Sequence, residues 1–255
     1  MNKGVVLAGG LGTRLLPLTL VTNKHHLPVF NKPMCYYPLN TLIQSGIDDI
    51  MIITGKEHCG SFIELLGSEF NGAALTYKVQ NKPSGIADAL RSAKRFVSEE
   101  NFVTILSDNI FEDKFDFSNF REGSRVFLKR VSDPQRYGVA RLRTSIKSIY
   151  KEREDRLIEI IEKPKIDTTD NELIDKNGYG FAVTGIYLYS HDVFDKISCL
   201  KPSTRNELEV TDLNNMYIRE GKMDFEIING FWSDAGTFSS LFNASEFVRS
   251  KELNL

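Results

Sequence analysis

Short runs of Val, Ile and Leu alternate with segments whose apolar residues recur at helical spacing, and this alternation organises the first half of the chain. Val5-Val6-Leu7 reads as a buried strand that enters a glycine-rich turn. Pro33 stands where a helix could start, running through Leu39, Leu42 and Ile43 to a stop at Gly46. Ile50 to Ile53 is a second buried strand, Phe62 to Leu66 a short helix, and Leu75 to Val79 a third strand. Ser84-Gly85 opens a helix with Ala87, Leu90 and Ala93 at helical spacing, and Phe102 to Leu106 is a fourth strand. Continuous apolar strands flanked by helices predict an α/β fold with a mainly parallel, doubly wound, Rossmann-like sheet over residues 1–110.

Residues 111–255 are less regular. Arg125 to Lys129, Gly138 to Leu142, Leu157 to Ile161 and Ala182 to Leu188 read as strands, and Leu208 to Arg219 and Phe238 to Val248 as helices. The charged stretch Lys147 to Arg156 and the polar stretch Lys165 to Asn177 read as exposed connections. No Gly/Ser/Pro-rich linker separates the halves, so residues 1–255 are expected to be one domain built on one sheet.

Composition narrows the function without naming it. With 255 residues and 41% hydrophobic content the chain can bury a substantial core. Its 34 acidic and 32 basic residues nearly cancel, which gives no electrostatic case for a dedicated nucleic-acid binder. Cys35, Cys59 and Cys199 are scattered and form no CxxC pair, as expected of free thiols in a reducing cytoplasm. Gly9, Gly10 and Gly12 interrupt the first apolar run too early for a signal-peptide core, and no apolar stretch is long enough to span a bilayer. A cytoplasmic location is expected.

The first candidate chemistry lies in Leu7-Ala8-Gly9-Gly10-Leu11-Gly12-Thr13-Arg14. Glycines let backbone N–H groups converge on a phosphate, Arg14 can grip its oxygens in a fork, and Lys24 adds a mobile cation. A tight strand-to-helix turn with surface basic residues is the plainer reading. A dinucleotide fold fits poorly: the glycines fall at 9, 10 and 12, Pro17 interrupts a helix, and Ile53-Thr54 offers no acidic residue for a ribose. Asp108 should sit at the carboxyl end of its strand, where a carboxylate could hold Mg²⁺ or simply cap a turn. Gln80 and Pro83-Ser84-Gly85 could reach a base edge, and Glu162-Lys163 could serve sugar hydroxyls, although each block also reads as a helix cap or a solvated strand end.

LAGGLGTRLLPLT, then NKHHLPVFNKPM, resembles the opening signature of the sugar-phosphate nucleotidylyltransferases, also called nucleotide-sugar pyrophosphorylases. The resemblance continues in family order through YYPLNTLIQSGIDDIMIIT, QNKPSGIA, SDNIF, DPQRYGV, IEKPK, AVTGIY, RNELEVTD and WSDAGT, from near residue 3 to near 245. It points to the thymidylyl-transferring branch in a short form. The resemblance implies Mg²⁺ on Asp108 and Asp234, and a nucleoside triphosphate held by Leu7, Ala8, Gly9, Gly10, Gly12, Thr13, Gln80, Pro83 and Gly85. It implies a fused sugar-binding lobe with Asn109, Gly138, Glu162 and Val183 on the hexose and Lys163 on its phosphate. Arg14, Lys24, Asp108 and Lys163 then carry the catalysis. The substrates implied are dTTP and glucose 1-phosphate, with UTP, CTP or another hexose phosphate as alternatives, and with neither nucleic acid nor membrane as partner.

A non-catalytic nucleotide-sugar binding or regulatory subunit is the reading from another class. Longer members carry C-terminal helices for an allosteric site and subunit contacts; those features are not expected in a short form, and a homo-oligomer stays open. Asn23, His25-His26 and Ser107 depart from the family pattern. The histidine pair raises metal binding as an alternative to a local change in the loop, without further ligands clustered in the sequence.

Overall fold

In the computed structural model, which describes residues 1–147, 152–165 and 172–253, the four apolar runs of the first half become neighbouring parallel strands. β1 (Lys3–Ala8) is followed by two short strands that pair with each other, β2 (Pro28–Val29) and β3 (Lys32–Pro33). Next come α1 (Tyr36–Gln44), β4 (Asp49–Gly55), α2 (Cys59–Leu66), β5 (Glu69–Phe70) and β6 (Ala73–Gln80). α3 (Ile86–Arg91), α4 (Lys94–Val97) and β7 (Phe102–Leu106) complete this half. β7, β1, β4 and β6 lie side by side in parallel. Along β1, Val5 and Leu7 join one hydrophobic cluster and Val6 and Ala8 the other, the period-2 signature of a strand covered on both faces.

The second half contains β8 (Ile110–Phe111), β9 (Ser124–Val131), β10 (Gly138–Lys147), β11 (Glu152–Glu162) and β12 (Gly180–Tyr189). It ends with α5 (Val193–Cys199), α6 (Val210–Arg219), β13 (Met223–Ile227), β14 (Trp232–Ser233) and α7 (Phe238–Leu253). β12 pairs antiparallel with β7 and carries the sheet across, giving the order β11-β10-β12-β7-β1-β4-β6-β5, with β9 on β12 and β13 on β9. The fold is α/β, parallel through β7, β1, β4 and β6, antiparallel at the β5 edge and mostly antiparallel beyond β7.

Three clusters make the core. α3, α5 and α6 cover one face through Leu90, Phe194 and Leu213, while α1 and α2 cover the other through Leu39, Leu42 and Phe62. α7 builds the third, packing Ala244 and Val248 on Leu15, Val29, Ile110 and Ala235. That cluster ties the glycine-rich turn to the segment around residue 234.

Several local expectations are corrected. Pro33 does not start α1: it pairs with Pro28 in β3, and the helix begins at Tyr36 after Cys35. The stop at Gly46 is present, with φ +83°. α3 ends at Arg91, so the buried Ala93 caps α4 instead of extending α3. Glu152 to Arg156 belong to β11 and pair with β10, because cross-strand partners override a charged composition; residues 148–151 lie outside the described residues. In the second connection, Leu173 and Ile174 are buried and Ile174 bridges Gly180, while 166–171 lie outside the described residues.

Candidate active site

Two parallel strands place the first half of the site. In the register of β1 with β7, Leu7 faces Leu106, and Ser107 N–H donates to the Leu7 carbonyl at 2.9 Å. The glycine-rich turn after β1 therefore emerges beside Asp108 after β7, at the carboxyl edge where ligands bind in open α/β sheets. β14 pairs antiparallel with β8, Ser233 opposite Ile110. Asp234 follows Ser233 as Asn109 precedes Ile110, so this short ladder brings Asp234 alongside Asn109, the chain neighbour of Asp108.

Between them opens a cavity of about 390 Å³. It is lined by Leu7, Gly9, Gly10, Arg14, Lys24, Gln80, Pro83, Gly85, Asp108, Asn109, Gly138, Glu162, Lys163, Val183 and Asp234. Gly12 and Thr13 line a recess that shares Gly9, Gly10, Arg14, Lys24 and Pro83 with it. Ala8 is the exception among the expected residues. It is fully buried in the cluster under α1 and lines neither space, so its side chain serves packing.

The acidic centre is balanced by cations. Lys24 Nζ lies 2.5 Å from Asp108 Oδ2, and Asn109 Nδ2 donates to Asp108 Oδ1 at 2.9 Å. Burial pushes the Asp108 carboxyl up, but the Lys24 charge first, then the adjacent His25 ring and these hydrogen bonds, outweigh it, holding the group below the ordinary carboxylate value. Arg136 Nη2 lies 3.5 Å from Asp234 Oδ2. A Cβ on Gly236 would sit 3.3 Å from Arg14 Nη2 and 3.6 Å from Asp234 Oδ2, which brings the Arg14 fork to the same corner. Asp234 Oδ1 is buried and has no hydrogen-bond partner among the described residues.

The opposite wall comes from the second half. The β10–β11 ladder sets Gly138 against Glu162. Glu162 Oε2 accepts from Thr211 Oγ1 at 2.8 Å, and Lys163 Nζ lies 3.2 Å from Glu162 Oε1. Lys163 holds a left-handed φ of +44°, with its N–H donating to the Tyr137 carbonyl at 2.9 Å. The loop before α3 is stitched to this wall: Leu208 N–H donates to the Ser84 carbonyl at 2.8 Å, and Ala87 N–H to the Leu208 carbonyl at 3.2 Å. Gly85, at φ +100°, fits there because a Cβ would lie 2.4 Å from the Leu208 oxygen.

Sequence reasoning passed over Arg136, Tyr137, Trp232 and Arg205, all of which line the cavity. Each stands inside a motif block quoted for the family resemblance, so the signal was present but gave no direction for the side chain. Arg205 Nη2 lies 2.9 Å from Glu209 Oε2 and 3.7 Å from Glu162 Oε1, and the Tyr137 and Trp232 rings lie 5.1 Å apart.

His25 also lines the cavity, 2% exposed, its Nδ1 2.7 Å from Asn23 Oδ1. Burial first, and then the neighbouring Lys24 charge, depress its pKa well below the ordinary histidine value. The His26 ring meets Phe62 edge-on at 4.5 Å. Among the described residues no group of three or more His, Cys, Asp or Glu side chains is placed to hold a metal ion.

Comparison with known proteins identifies the family and the fold. The family model described as nucleotidyl transferase matches residues 3–251. A glucose-1-phosphate thymidylyltransferase of Neisseria meningitidis serogroup A / serotype 4A is 38% identical over 97% of this chain and 83% of its own. One from Mycolicibacterium smegmatis is 37% identical over 98% of this chain and 83% of its own. A Bacillus anthracis protein assigned as a glucose-1-phosphate thymidylyltransferase, crystallised with sucrose, superposes with a TM-score of 0.84 at 45% identity over 98% of this chain and 96% of that one. A UDP-glucose pyrophosphorylase complexed with UDP-glucose shares the fold at a TM-score of 0.80 and 22% identity, covering 98% of this chain and 99% of that one. The chain belongs to the nucleotidyl transferase family of enzymes.

Proposed function

We propose that the protein transfers a thymidylyl group from dTTP to glucose 1-phosphate, giving dTDP-glucose and pyrophosphate. The observation that carries this reading is one cavity holding Asp108 and Asp234 together, with Arg14 and Lys24 on the nucleotide side and Glu162 and Lys163 on the sugar side. The named relatives support the choice of nucleotide and sugar. Among the described residues no helix is long and apolar enough to cross a membrane, and we assign the reaction to the cytoplasm.

An oxygen of the sugar phosphate attacks the α-phosphorus of the triphosphate, and the bond to the β-phosphate oxygen breaks as pyrophosphate departs opposite. The attacking oxygen is already deprotonated at neutral pH, so the step needs no general base. The protein's task is to position two anions and to stabilise the charge that shifts onto the leaving group. The amides of the glycine turn and the Arg14 fork hold the β- and γ-phosphates. Lys24 faces the α/β bridge, and Lys163 holds the attacking phosphate against its repulsion by the triphosphate. Gln80, Pro83 and Gly85 receive the pyrimidine; Asn109, Gly138, Glu162 and Val183 receive the hexose.

The donor set fits Mg²⁺, a hard cation that takes oxygen ligands. Asp234 Oδ1 is a buried acceptor without a partner among the described residues, and Asp108, which lines the same cavity, has its carboxyl held below the ordinary value. Asp108 and Asp234 would hold the ion, which when bound neutralises phosphate charge.

The deciding measurement is pyrophosphate release from a panel of nucleoside triphosphates crossed with a panel of sugar 1-phosphates, with Mg²⁺ present. dTTP with glucose 1-phosphate is expected to react fastest. Faster release with UTP, CTP or another hexose phosphate would reassign the substrates, and no release from any pair would leave a nucleotide-sugar binding subunit.

A further inference from the structure

Asn109 is 2% exposed, and each end of its side-chain amide has a partner within the protein. Its Oδ1 accepts the Gly185 backbone N–H at 3.0 Å and the Trp232 indole Nε1–H at 2.7 Å. Neither of those nitrogens can accept a hydrogen bond, so the atom they meet is the oxygen and the amide cannot be turned over. Nδ2 consequently faces Asp108 and donates to its Oδ1 at 2.9 Å. Lys24 takes the other carboxylate oxygen at 2.5 Å.

The backbone of β12 closes the remaining freedom. A Cβ on Gly185 would stand 2.5 Å from Asn109 Nδ2 and 2.7 Å from Oδ1, so the strand presses on the amide with only hydrogen between them. The rotation of an aspartate about its last bond is otherwise broad. Here the plane of the Asp108 carboxylate is set by a chain of donors: indole to amide oxygen, amide nitrogen to carboxylate.

Trp232 lies two residues before Asp234 on the same β14 turn. We propose that Trp232 and Asn109 are positioning residues for Asp108, the indole N–H fixing the amide and the amide fixing the carboxylate that receives the metal ion. The segment from Trp232 to Asp234 thereby supplies one carboxylate and also sets the angle of its partner. The proposal rests on the reading of Asp108 and Asp234 as the metal carboxylates.

The competing account makes Trp232 only a wall of the sugar pocket, beside Tyr137. Trp232→Phe separates the two, because it keeps an aromatic ring and removes the donor. Mn²⁺ is titrated into the purified protein without substrates, and free Mn²⁺ is read by electron paramagnetic resonance. Metal dependence and sugar-phosphate KM are then measured from pyrophosphate release.

The expected result for Trp232→Phe is about tenfold weaker Mn²⁺ binding, a matching rise in the Mg²⁺ needed for half-maximal rate, and an unchanged sugar-phosphate KM. Asn109→Ala should lose as much, and adding Trp232→Phe to it should cost nothing more. If Asn109→Ala fails to fold, Trp232→Phe decides alone. Wild-type Mn²⁺ affinity in Trp232→Phe, with a raised sugar-phosphate KM, overturns the relay and leaves the proposed function standing. A wild-type protein that binds no Mn²⁺ and releases no pyrophosphate overturns both.

Discussion

Lys24 and Asp108 stand 84 positions apart in the chain, yet their side chains form a 2.5 Å ion pair. Only 12% of each side chain is exposed. The pair forms because parallel β1 and β7 end at the same edge and the loop after β1 folds back across it. Desolvating one carboxylate alone would be costly; a close ammonium and an amide donor offset that cost.

Removing the cation therefore has two consequences. Lys24→Met is expected to reduce stability at neutral pH by roughly 3 kcal/mol, because it leaves a buried carboxylate without its partner, and to slow pyrophosphate release by about 10²-fold. The pH dependence follows from the depressed Asp108 pKa. A carboxyl held below its unfolded value stabilises the fold above that value, and the contribution is lost as pH falls through the folded one. Thermal unfolding below about pH 4 should thus show a smaller acid loss in Lys24→Met than in wild type. Equal acid slopes would mean that Lys24 does not set the charge on Asp108.

His25 acts in the same direction, in a higher pH window. A histidine buried neutral, with its folded pKa depressed, leaves the unfolded chain binding more protons at mildly acidic pH, so stability falls as pH drops below the unfolded value. His25→Gln should remove up to about 1.4 kcal/mol per pH unit of this slope below about pH 6.5. Denaturant unfolding between pH 7 and pH 5 measures it; parallel curves for the two proteins would assign the acid loss elsewhere.

Gly85 holds φ +100° and ψ 168°, a combination almost reserved for glycine, with no room for a Cβ beside Leu208. Gly85→Ala should cost about 2 kcal/mol and lower the melting temperature by roughly 4–8 °C. It should also raise the dTTP KM, because the loop proposed to meet the base would leave Leu208. Calorimetry and steady-state kinetics test both, and an unchanged nucleotide KM would remove this loop from the base site.

Arg205 reaches the wall proposed to hold the sugar through its contacts with Glu209 and Glu162. Arg205→Ala should raise the sugar-phosphate KM by about tenfold, the loss of a hydrogen bond to a charged group, and leave the dTTP KM near wild type. Arg205→Lys should recover only part, since an ammonium lacks the planar fork. A larger change in the dTTP KM would place Arg205 on the nucleotide instead.

The strands were readable because burial on both faces leaves unbroken apolar runs, as at Ile50 to Ile53 and Phe102 to Leu106. The helix stop at Gly46 was readable because the left-handed turn suits a residue without a Cβ. Pro33 misled, since a proline suits a short strand as well as a first helical turn. Glu152 to Arg156 misled because their pairing with β10 depends on a partner strand and not on their own charge.

For the site, the glycine turn and Asp108 could be placed from local order alone: ligands gather where parallel strands end. Asp234 joined them only through the family resemblance, and the β8–β14 ladder supplies the physical reason. Hydrophobic periodicity is a local property, so the chain itself determined strands, helices and the edge where chemistry belongs. Hydrogen bonds and ion pairs lapse within about an ångström of their proper length. Which donor meets which acceptor therefore belonged to the tertiary structure alone: Trp232 on Asn109, Asn109 and Lys24 on Asp108, and Arg136 beside Asp234.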